Sequence, residues 1–147
     1  MTDLTRRVLR TGTIGGLIVV AGILAVAPTL IDAWKERNEC IAAFQGYAAQ
    51  LESKNYEAAW RSLGPRIQQN VGVAEFARMH LDLVTQFGEL KSAHADNAVV
   101  EGNGNPISWV GNIQCTFQYE RGTIRLRYEL HKTAGAWRVH GFKRQRE

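Results

Sequence analysis

The sequence has few residues of the kinds that bind metals or form covalent cross-links. It contains two cysteines and four histidines, and no two of the histidines stand at the close spacing of a metal-ligand pair. A zinc site takes four such ligands, usually in closely spaced pairs. We therefore predict no metal and no cofactor.

Motifs of nucleotide binding and nucleophilic catalysis are also missing. The glycines of Gly102-Asn103-Gly104 precede a proline and a predicted strand, whereas a phosphate-binding loop leads into a helix N-terminus. Neither a Ser-His-Asp nor a Cys-His arrangement has its local signature. We therefore favour a non-catalytic role and leave catalysis open.

Charge is missing from one long stretch near the N-terminus. Residues 12–31 are a run of twenty without a charged side chain, and about 20 apolar residues span the ~30 Å core of a bilayer. Three arginines precede the run, so the positive-inside rule places residues 1–11 in the cytoplasm. We predict a transmembrane helix at 12–31, a linker at 32–39 and an extracytoplasmic domain at 40–147.

A cleaved signal peptide is the competing interpretation of the same stretch. Ala25-Val26-Ala27 has the small-x-small pattern of a cleavage site, but Pro28 directly after it disfavours cleavage. An uncleaved segment would hold the protein in the inner (cytoplasmic) membrane as a single-pass protein. A cleaved one would leave an exported, soluble domain, and both interpretations place the folded domain outside the cytoplasm.

Positive charge is concentrated at the C-terminal end. Residues 121–147 carry eight Lys and Arg against two Asp and Glu, whereas residues 32–120 carry seven against eleven. A domain outside the cytoplasm seldom meets nucleic acid, so we predict no nucleic-acid partner. The basic end instead suits anionic lipid head groups or an acidic protein.

The apolar pattern after the membrane segment is first helical and then that of strands. Apolar side chains at steps of three and four predict helices at about 40–51, 56–63 and 73–87. From Leu90 onward the period is two, and four strands are predicted, at 90–101, 108–120, 123–131 and 136–143. Because the helices come first and the strands follow, the fold class is α+β, with three helices packed on a curved four-stranded antiparallel sheet.

The pairing of the strands is predicted from their turns. Arg121-Gly122 suits a two-residue hairpin turn because glycine takes positive φ at little cost. This turn gives the two middle strands one apolar face, made of Ile113, Cys115, Phe117, Tyr119, Ile124, Leu126, Tyr128 and Leu130. The last hairpin pairs Leu130 with Trp137 and sets Glu129 beside Arg138. Two hairpins that agree on one buried face predict a sheet that is covered on one side.

Three motifs in this order resemble the nuclear transport factor 2-like (cystatin-like cone) superfamily. They are Asn55-Tyr56-Glu57-Ala58-Ala59-Trp60, Phe87-Gly88-Glu89-Leu90-Lys91-Ser92 and Trp137-Arg138-Val139-His140-Gly141-Phe142, and the likeness covers about residues 41–143. It is closest to small bacterial exported or membrane-anchored domains of unknown function. The resemblance implies a cone in which helices wrap a curved sheet, with a pocket between them. Enzymes, binding modules and secretion-machine subunits share this fold, so it does not fix the function.

The resemblance implies that any active site would lie inside the cone, where enzymes of this fold place an Asp or His with one or two Tyr. The matching candidates are His80 on the third helix with Tyr47, Tyr119 and Tyr128, which either line a ligand pocket or pack as core. Asp82 is two residues from His80 and is expected to point away from that face. An isomerase or lyase site would therefore lack its carboxylate.

Two further sets of residues are candidates for other roles. The outer face of the predicted sheet carries Arg125, Arg127, Arg138 and His140. They form either an ordinary solvated surface or a surface that docks a protein partner or a second copy of the chain. Cys40 and Cys115 either form a disulfide bond in an oxidising compartment or lie as separately buried thiols.

Together these patterns favour a single-pass, membrane-anchored, extracytoplasmic binding or assembly module without catalysis, such as an accessory subunit of an envelope or secretion complex. Tyr56, Trp60 and Leu63 are expected to close the open end of its core. The alternative is a small-molecule-binding or isomerase/lyase-type cone with a pocket lined by His80 and the tyrosines.

Overall fold

The computed structural model describes residues 30–104 and 106–144. The chain divides into two compact units, one ending at Lys35 and the other beginning at Glu36. The predicted membrane segment, residues 12–31, lies outside the described residues except for its last two. Within the described ranges, no helix has both the length and the apolar character needed to cross a bilayer. Residues 32–39, which the sequence analysis assigns to a linker, are helical.

In the unit that begins at Glu36, the described residues contain four helices followed by one sheet. The helices are α1 (residues 36–52), α2 (Tyr56–Arg61), α3 (Pro65–Asn70) and α4 (Val73–Phe87). The strands are β1 (Leu90–Asn103), β2 (Ser108–Tyr119), β3 (Gly122–Thr133) and β4 (Ala136–Arg144), which pair antiparallel in chain order. The predicted α+β class with four antiparallel strands is confirmed.

The sequence pattern misses α3. Gly64-Pro65 is typical of the end of a helix, yet Pro65 is the first residue of α3. At that position the missing N–H of proline costs no intrahelical hydrogen bond. The residues just before it pair with the edge strand β4. The Gly64 N–H donates to the Val139 carbonyl at 2.7 Å, and the Val139 N–H donates to the Ser62 carbonyl at 3.0 Å. This backbone pairing fixes the junction of α2 and α3 to the sheet.

The turn between β2 and β3 differs from the prediction by one residue. Tyr119 pairs with Gly122, so Glu120 and Arg121 make the turn. Gly122 is not among the glycines with positive φ; a methyl group there would lie 3.3 Å from the Phe87 ring. The glycine therefore serves the close approach of α4. The register moves by two residues, which keeps the predicted apolar face intact.

The last hairpin differs from the prediction in a similar way. Ala134 (φ 49°) and Gly135 (φ 79°) are both left-handed and form its two-residue turn, as a type I′ turn requires. Leu130 consequently pairs with Val139, whereas Trp137 lies opposite Lys132. The predicted pairing of Leu130 with Trp137 is therefore wrong.

The predicted charge pair between Glu129 and Arg138 is also absent. A bulge follows Glu129, which lies opposite Gly141, whereas Arg138 lies opposite His131. The Glu129 carboxylate accepts a hydrogen bond from the His131 ring at 2.6 Å.

The core lies between α1 and one face of the sheet. Phe44 and Tyr47 of α1 pack on Phe117 of β2 and Tyr128 of β3. Phe44 lies 6.4 Å from Phe117 and 5.4 Å from Tyr128, measured between ring centroids, and Tyr47 lies 5.6 Å from Tyr128. All four side chains are buried, and each aromatic ring removes about 150–250 Å² from water. These contacts hold the helix layer on the sheet.

The aromatic stretch before α3 packs against this core. Leu63 is buried, and Tyr56 and Trp60 are half-buried beside it. The Trp60 indole N–H donates to the Val71 carbonyl at 2.8 Å. The stretch thus covers one end of the core, as the sequence predicts.

Cys40 and Cys115 are buried free thiols. Cys40 lies on Gly111: a methyl group on that glycine would be 2.4 Å from the Cys40 sulfur. The Cys115 thiol lies elsewhere on β2, where it donates to the Leu126 carbonyl at 3.3 Å. Of the two alternatives from the sequence, the structure shows separate thiols and no disulfide.

Candidate functional site

A cavity of about 490 Å³ opens between α4 and the sheet face that carries the core. Its walls are mostly apolar and come from α1, from α3 and the residues on either side of it, from α4 and from β2, β3 and β4. They include Tyr47, Leu63, Ile67, Val71, Phe76, Met79, Leu83, Phe87, Phe117, Tyr119, Ile124, Leu126, Tyr128, Val139 and Phe142. Sites for small molecules have about this size and this apolar character.

The structure brings the four predicted ligand residues to this one cavity. His80, Tyr47, Tyr119 and Tyr128 all line it. They come from α4, α1, β2 and β3, so four separate elements position them.

His80 lies on the cavity face of α4 between two aromatic rings. Its imidazole stacks on Tyr56 at 5.7 Å and 8° and meets the edge of Phe76 at 4.6 Å. Burial lowers the pKa of His80 to about 4, because water no longer solvates the charged form. The side chain is therefore a neutral, packed imidazole at physiological pH.

Tyr47 and Tyr128 form a pair of buried hydroxyl groups. Each side chain is 2% exposed, and their rings lie 5.6 Å apart between centroids. Burial is the main cause that raises the pKa of both phenols. Both hydroxyls therefore stay protonated and can act only as neutral donors and acceptors.

Tyr119 occupies another part of the wall. It is buried, its ring lies 5.9 Å from that of Phe87, and burial raises the pKa of its hydroxyl, with a smaller contribution from Tyr56. It adds a third phenol to the cavity wall.

The mouth of the cavity carries residues that sequence reasoning missed. Met79 and Phe142 are exposed apolar side chains, 43% and 51%, and Asp82, Gln86 and Arg144 are polar neighbours in the lining. The expectation that Asp82 points away from the cavity is wrong, since it lines the rim. Its exposure to solvent distinguishes it from a buried catalytic carboxylate.

Phe142 and Arg144 face the cavity because of the bulge in the β3–β4 pairing. Trp137 and Val139 point into the core, so strict alternation would next turn Gly141 and Lys143 inward. The extra residue at the bulge reverses this order, and Phe142 then lies opposite the inward Tyr128. The apolar spacing in β4 changes from two, between Trp137 and Val139, to three, between Val139 and Phe142, and this break in the alternation is the signal that could have located the bulge.

The four residues predicted as a docking surface fall into two separate groups. Arg125 and Arg127 are exposed side chains on the outer face of β3, and Arg127 lies opposite Lys143 of β4. The other two lie near the start of β4, about 17 Å along the strand from Lys143 to Arg138. The four therefore do not make one cluster.

Arg138 and His140 are held by contacts with neighbouring elements. Arg138 donates to the Arg61 carbonyl at the end of α2 at 2.6 Å. The His140 ring stacks on His131 at 4.1 Å, and a methyl group on Gly64 would meet it at 2.6 Å. These contacts fasten α2 and the segment after it to β4, which is a structural role.

Two solved structures share this architecture. One is a protein of unknown function with a cystatin-like fold from Nostoc punctiforme, with a TM-score of 0.51 and 15% identity over 69% of this chain and 83% of that one. The other is Aln2 from a Streptomyces species, with a TM-score of 0.52 and 12% identity over 75% of this chain and 90% of that one. The chain has a cystatin-like fold.

The likeness extends to the fold alone. No family model matches the sequence, and no curated protein matches it. At identities of 12–15%, a shared cone does not carry a shared activity from one protein to another.

Proposed function

We propose that the cystatin-like domain binds a small, largely apolar molecule in the cavity between α4 and the sheet. The observation that carries this proposal is the open space itself, about 490 Å³ with mostly apolar walls. Protein interiors are packed closely and leave few voids larger than a water molecule. An unfilled apolar cavity with an exposed mouth is thus a costly feature unless it is occupied.

The large side chains that could have filled the cone leave it open. Phe44 and Trp137 are buried in the core but are not part of the cavity wall, whereas Phe117 forms only one part of the lining. This supports the binding alternative from the sequence over a solid, purely structural cone.

Binding without chemistry is the simpler role for this site. His80 is neutral and packed between two rings, and burial raises the pKa of the lining tyrosines. Among the described lining residues the one carboxylate, Asp82, is exposed at the rim. Proton transfer at neutral pH works best with a group whose pKa lies near 7, and burial moves the pKa of His80 and of the lining tyrosines away from that value.

The test is to fill the cavity from one wall. Leu83→Trp adds an indole inside the lining, and Leu81→Trp, at an exposed position of the same helix (48% exposed), is the matched control. We expect the neutral fluorescent probe N-phenyl-1-naphthylamine to bind the wild type and Leu81→Trp with enhanced emission. Leu83→Trp should lose that enhancement, and equal enhancement in all three proteins would contradict the proposal.

We also propose that the domain works outside the cytoplasm, tethered by residues 12–31. The support is the uncharged run of twenty residues with three arginines before it. Protease treatment of intact spheroplasts should degrade the domain if it faces outward. Protection of the domain until the cells are lysed would contradict this topology.

A second candidate role is docking of a protein partner or a second copy on the outer sheet face. The observation that favours it is the adjacent placement of Arg125, Arg127 and Lys143 on exposed positions of β3 and β4, a positive surface suited to an acidic partner. Arg125→Glu with Arg127→Glu should remove a crosslinked complex from native membranes. Arg78→Glu, an exposed arginine on α4, should leave the complex intact, and retention in both variants would count against the surface.

A further inference from the structure

We propose that the turn end of the β1–β2 hairpin dips into the lipid surface of the membrane and holds the domain there at a second point. This hairpin tip is made of Gly102, Ile107 and Trp109. The inference rests on the proposed tether at residues 12–31, since both involve the same membrane. It goes beyond the tether because it fixes which end of the domain faces the lipid.

The hairpin tip is an apolar surface at the end of the sheet. The Ile107 side chain is 64% exposed, and Trp109 is half-buried. A methyl group on Gly102 would lie 3.0 Å from each of these side chains, so both cover the glycine and form one continuous surface. No residue from 102 to 119 carries a charge, so insertion of the tip into lipid desolvates no ion of its own.

The first residues of α1 lie at the same end of the sheet. The Lys132 ammonium group donates to both carboxylate oxygens of Glu36 at 2.7 Å. Lys132 follows His131, which pairs with Val110 of β2. Lys132 is therefore level with Trp109, one strand away, or about 5 Å. The residue at which the domain begins and the hairpin tip are thus neighbours.

The proposed tether ends a short way before this point. Ile31, the last residue of the uncharged run, is five residues before Glu36, and five residues reach at most about 18 Å. Trp34 lies between them in the sequence and is 67% exposed, and tryptophan is enriched at the level of the lipid head groups. The hairpin tip is therefore within reach of the lipid surface. The other end of β2, at the turn of Glu120 and Arg121, is about 35 Å further along the strand.

The experiment places one fluorescent probe beside the hairpin tip in the full-length protein. Ser108→Cys provides an exposed thiol, whereas Cys40 and Cys115 are buried, so nitrobenzoxadiazole iodoacetamide labels residue 108 of the native protein. The labelled protein is reconstituted into phosphatidylcholine vesicles, with or without a nitroxide near the top of the acyl chain. Quenching by the nitroxide reports contact of the probe with lipid.

Two further variants of the labelled protein test whether the apolar side chain causes the contact. Ile107→Asn removes the exposed side chain of the tip. Val99→Asn is the matched control, because Val99 is 49% exposed on the same hairpin but about 10 Å from Gly102 along β1. Trp109 is left unchanged, since it also packs against the core.

We expect the nitroxide to quench the probe, and Val99→Asn to leave the quenching unchanged. Ile107→Asn should lower the ratio of inserted to free probe about tenfold, because the burial of one isoleucine side chain is lost. Equal quenching in Ile107→Asn would overturn the inference. An unquenched probe with blue-shifted emission would also overturn it, since a protein surface would then cover the tip.

A probe on Ala21→Cys, in the middle of the uncharged run, tests the tether separately, with the nitroxide moved to the end of the acyl chain. Quenching at residue 21 without quenching at residue 108 would refute the contact of the tip and leave the proposed tether standing. Absence of quenching at both positions would refute the tether, and the inference would fail with it.

Discussion

Gly111 is the position where one added methyl group tests the core most directly. A methyl group there would lie 2.4 Å from the Cys40 sulfur, 3.3 Å from a ring carbon of Trp137 and 3.5 Å from a methyl of Val100. Carbon and sulfur atoms in contact are ordinarily more than about 3.5 Å apart. Gly111→Ala therefore forces α1 or its Cys40 side chain, which is fully buried, to move by about 1 Å.

The expected cost combines two opposing effects. Overpacking of a filled core costs about 1–3 kcal/mol, whereas replacing glycine by alanine restricts the unfolded chain and returns about 0.4–1 kcal/mol. Gly111→Ala should thus lower the free energy of unfolding by about 2 kcal/mol. Cys40→Ala alone, which removes one buried sulfur, should cost about 1 kcal/mol.

The double variant tests the close approach of Cys40 to Gly111. In Gly111→Ala/Cys40→Ala the new methyl group occupies the space left by the sulfur, so the two changes should compensate. We expect a total cost of about 1 kcal/mol, against about 3 kcal/mol for independent sites. Urea denaturation of the full chain, followed by tryptophan fluorescence, measures all four proteins.

The control is Gly46→Ala on α1, the helix that carries Cys40. A methyl group at Gly46 would meet nothing within 4 Å. It should raise the stability by up to about 1 kcal/mol, the helix preference of alanine over glycine. Additive costs in the double variant, within about 0.5 kcal/mol, would show that Cys40 does not lie on Gly111. They would also show that the Cys40 thiol points in another direction.

Three further predictions concern the stability contributed by Trp60, the titration of His80 and the reactivity of the two thiols. Trp60→Phe should cost about 1 kcal/mol in urea denaturation, because the Val71 carbonyl loses its indole donor, and Trp60→Ala about 3 kcal/mol; equal costs would contradict the hydrogen bond. The pKa of His80 falls from 6.5 to about 4 on folding, so the unfolded chain takes up its proton first as the pH drops. The free energy of unfolding should therefore fall by about 3 kcal/mol between pH 6.5 and 4, and His80→Gln should remove that part of the slope. Burial raises the pKa of the Cys40 and Cys115 thiols to about 12, so Ellman's reagent should react with both only after denaturant is added; rapid reaction of the native protein would refute their burial.

The sequence predicted well those features that depend on the alternation of apolar side chains. The apolar face of β2 and β3 survives although the Arg121-Gly122 turn and its register are wrong. An error of two residues in a strand leaves every side chain on its original face, whereas an error of one would have turned the face outward. The inward positions of Tyr119 and Tyr128, and hence part of the cavity, were predictable for this reason.

Features that depend on backbone irregularity could not be predicted in this way. The sequence pattern predicts that Pro65 ends a helix, whereas in the structure Pro65 begins α3. Proline is compatible with both, because it breaks a helix interior but fits the first helical turn. Gly122 looked like a turn residue, but it makes room for Phe87. For Gly122 the reason is a neighbour distant in sequence, which the spacing of residues does not show.

The bulge in the β3–β4 pairing is a third backbone irregularity, and it shapes the mouth of the proposed site. It follows Glu129 and turns Phe142 and Arg144 toward the cavity, so one inserted residue supplies both the apolar lip and the positive charge of the mouth. Without it, Gly141 and Lys143 would take those positions, and the lip would lose its aromatic ring. The bulge leaves the core positions of Trp137 and Val139 unchanged. The consequence of the bulge for the proposed site therefore falls on the entrance to the cavity, where a ligand would pass.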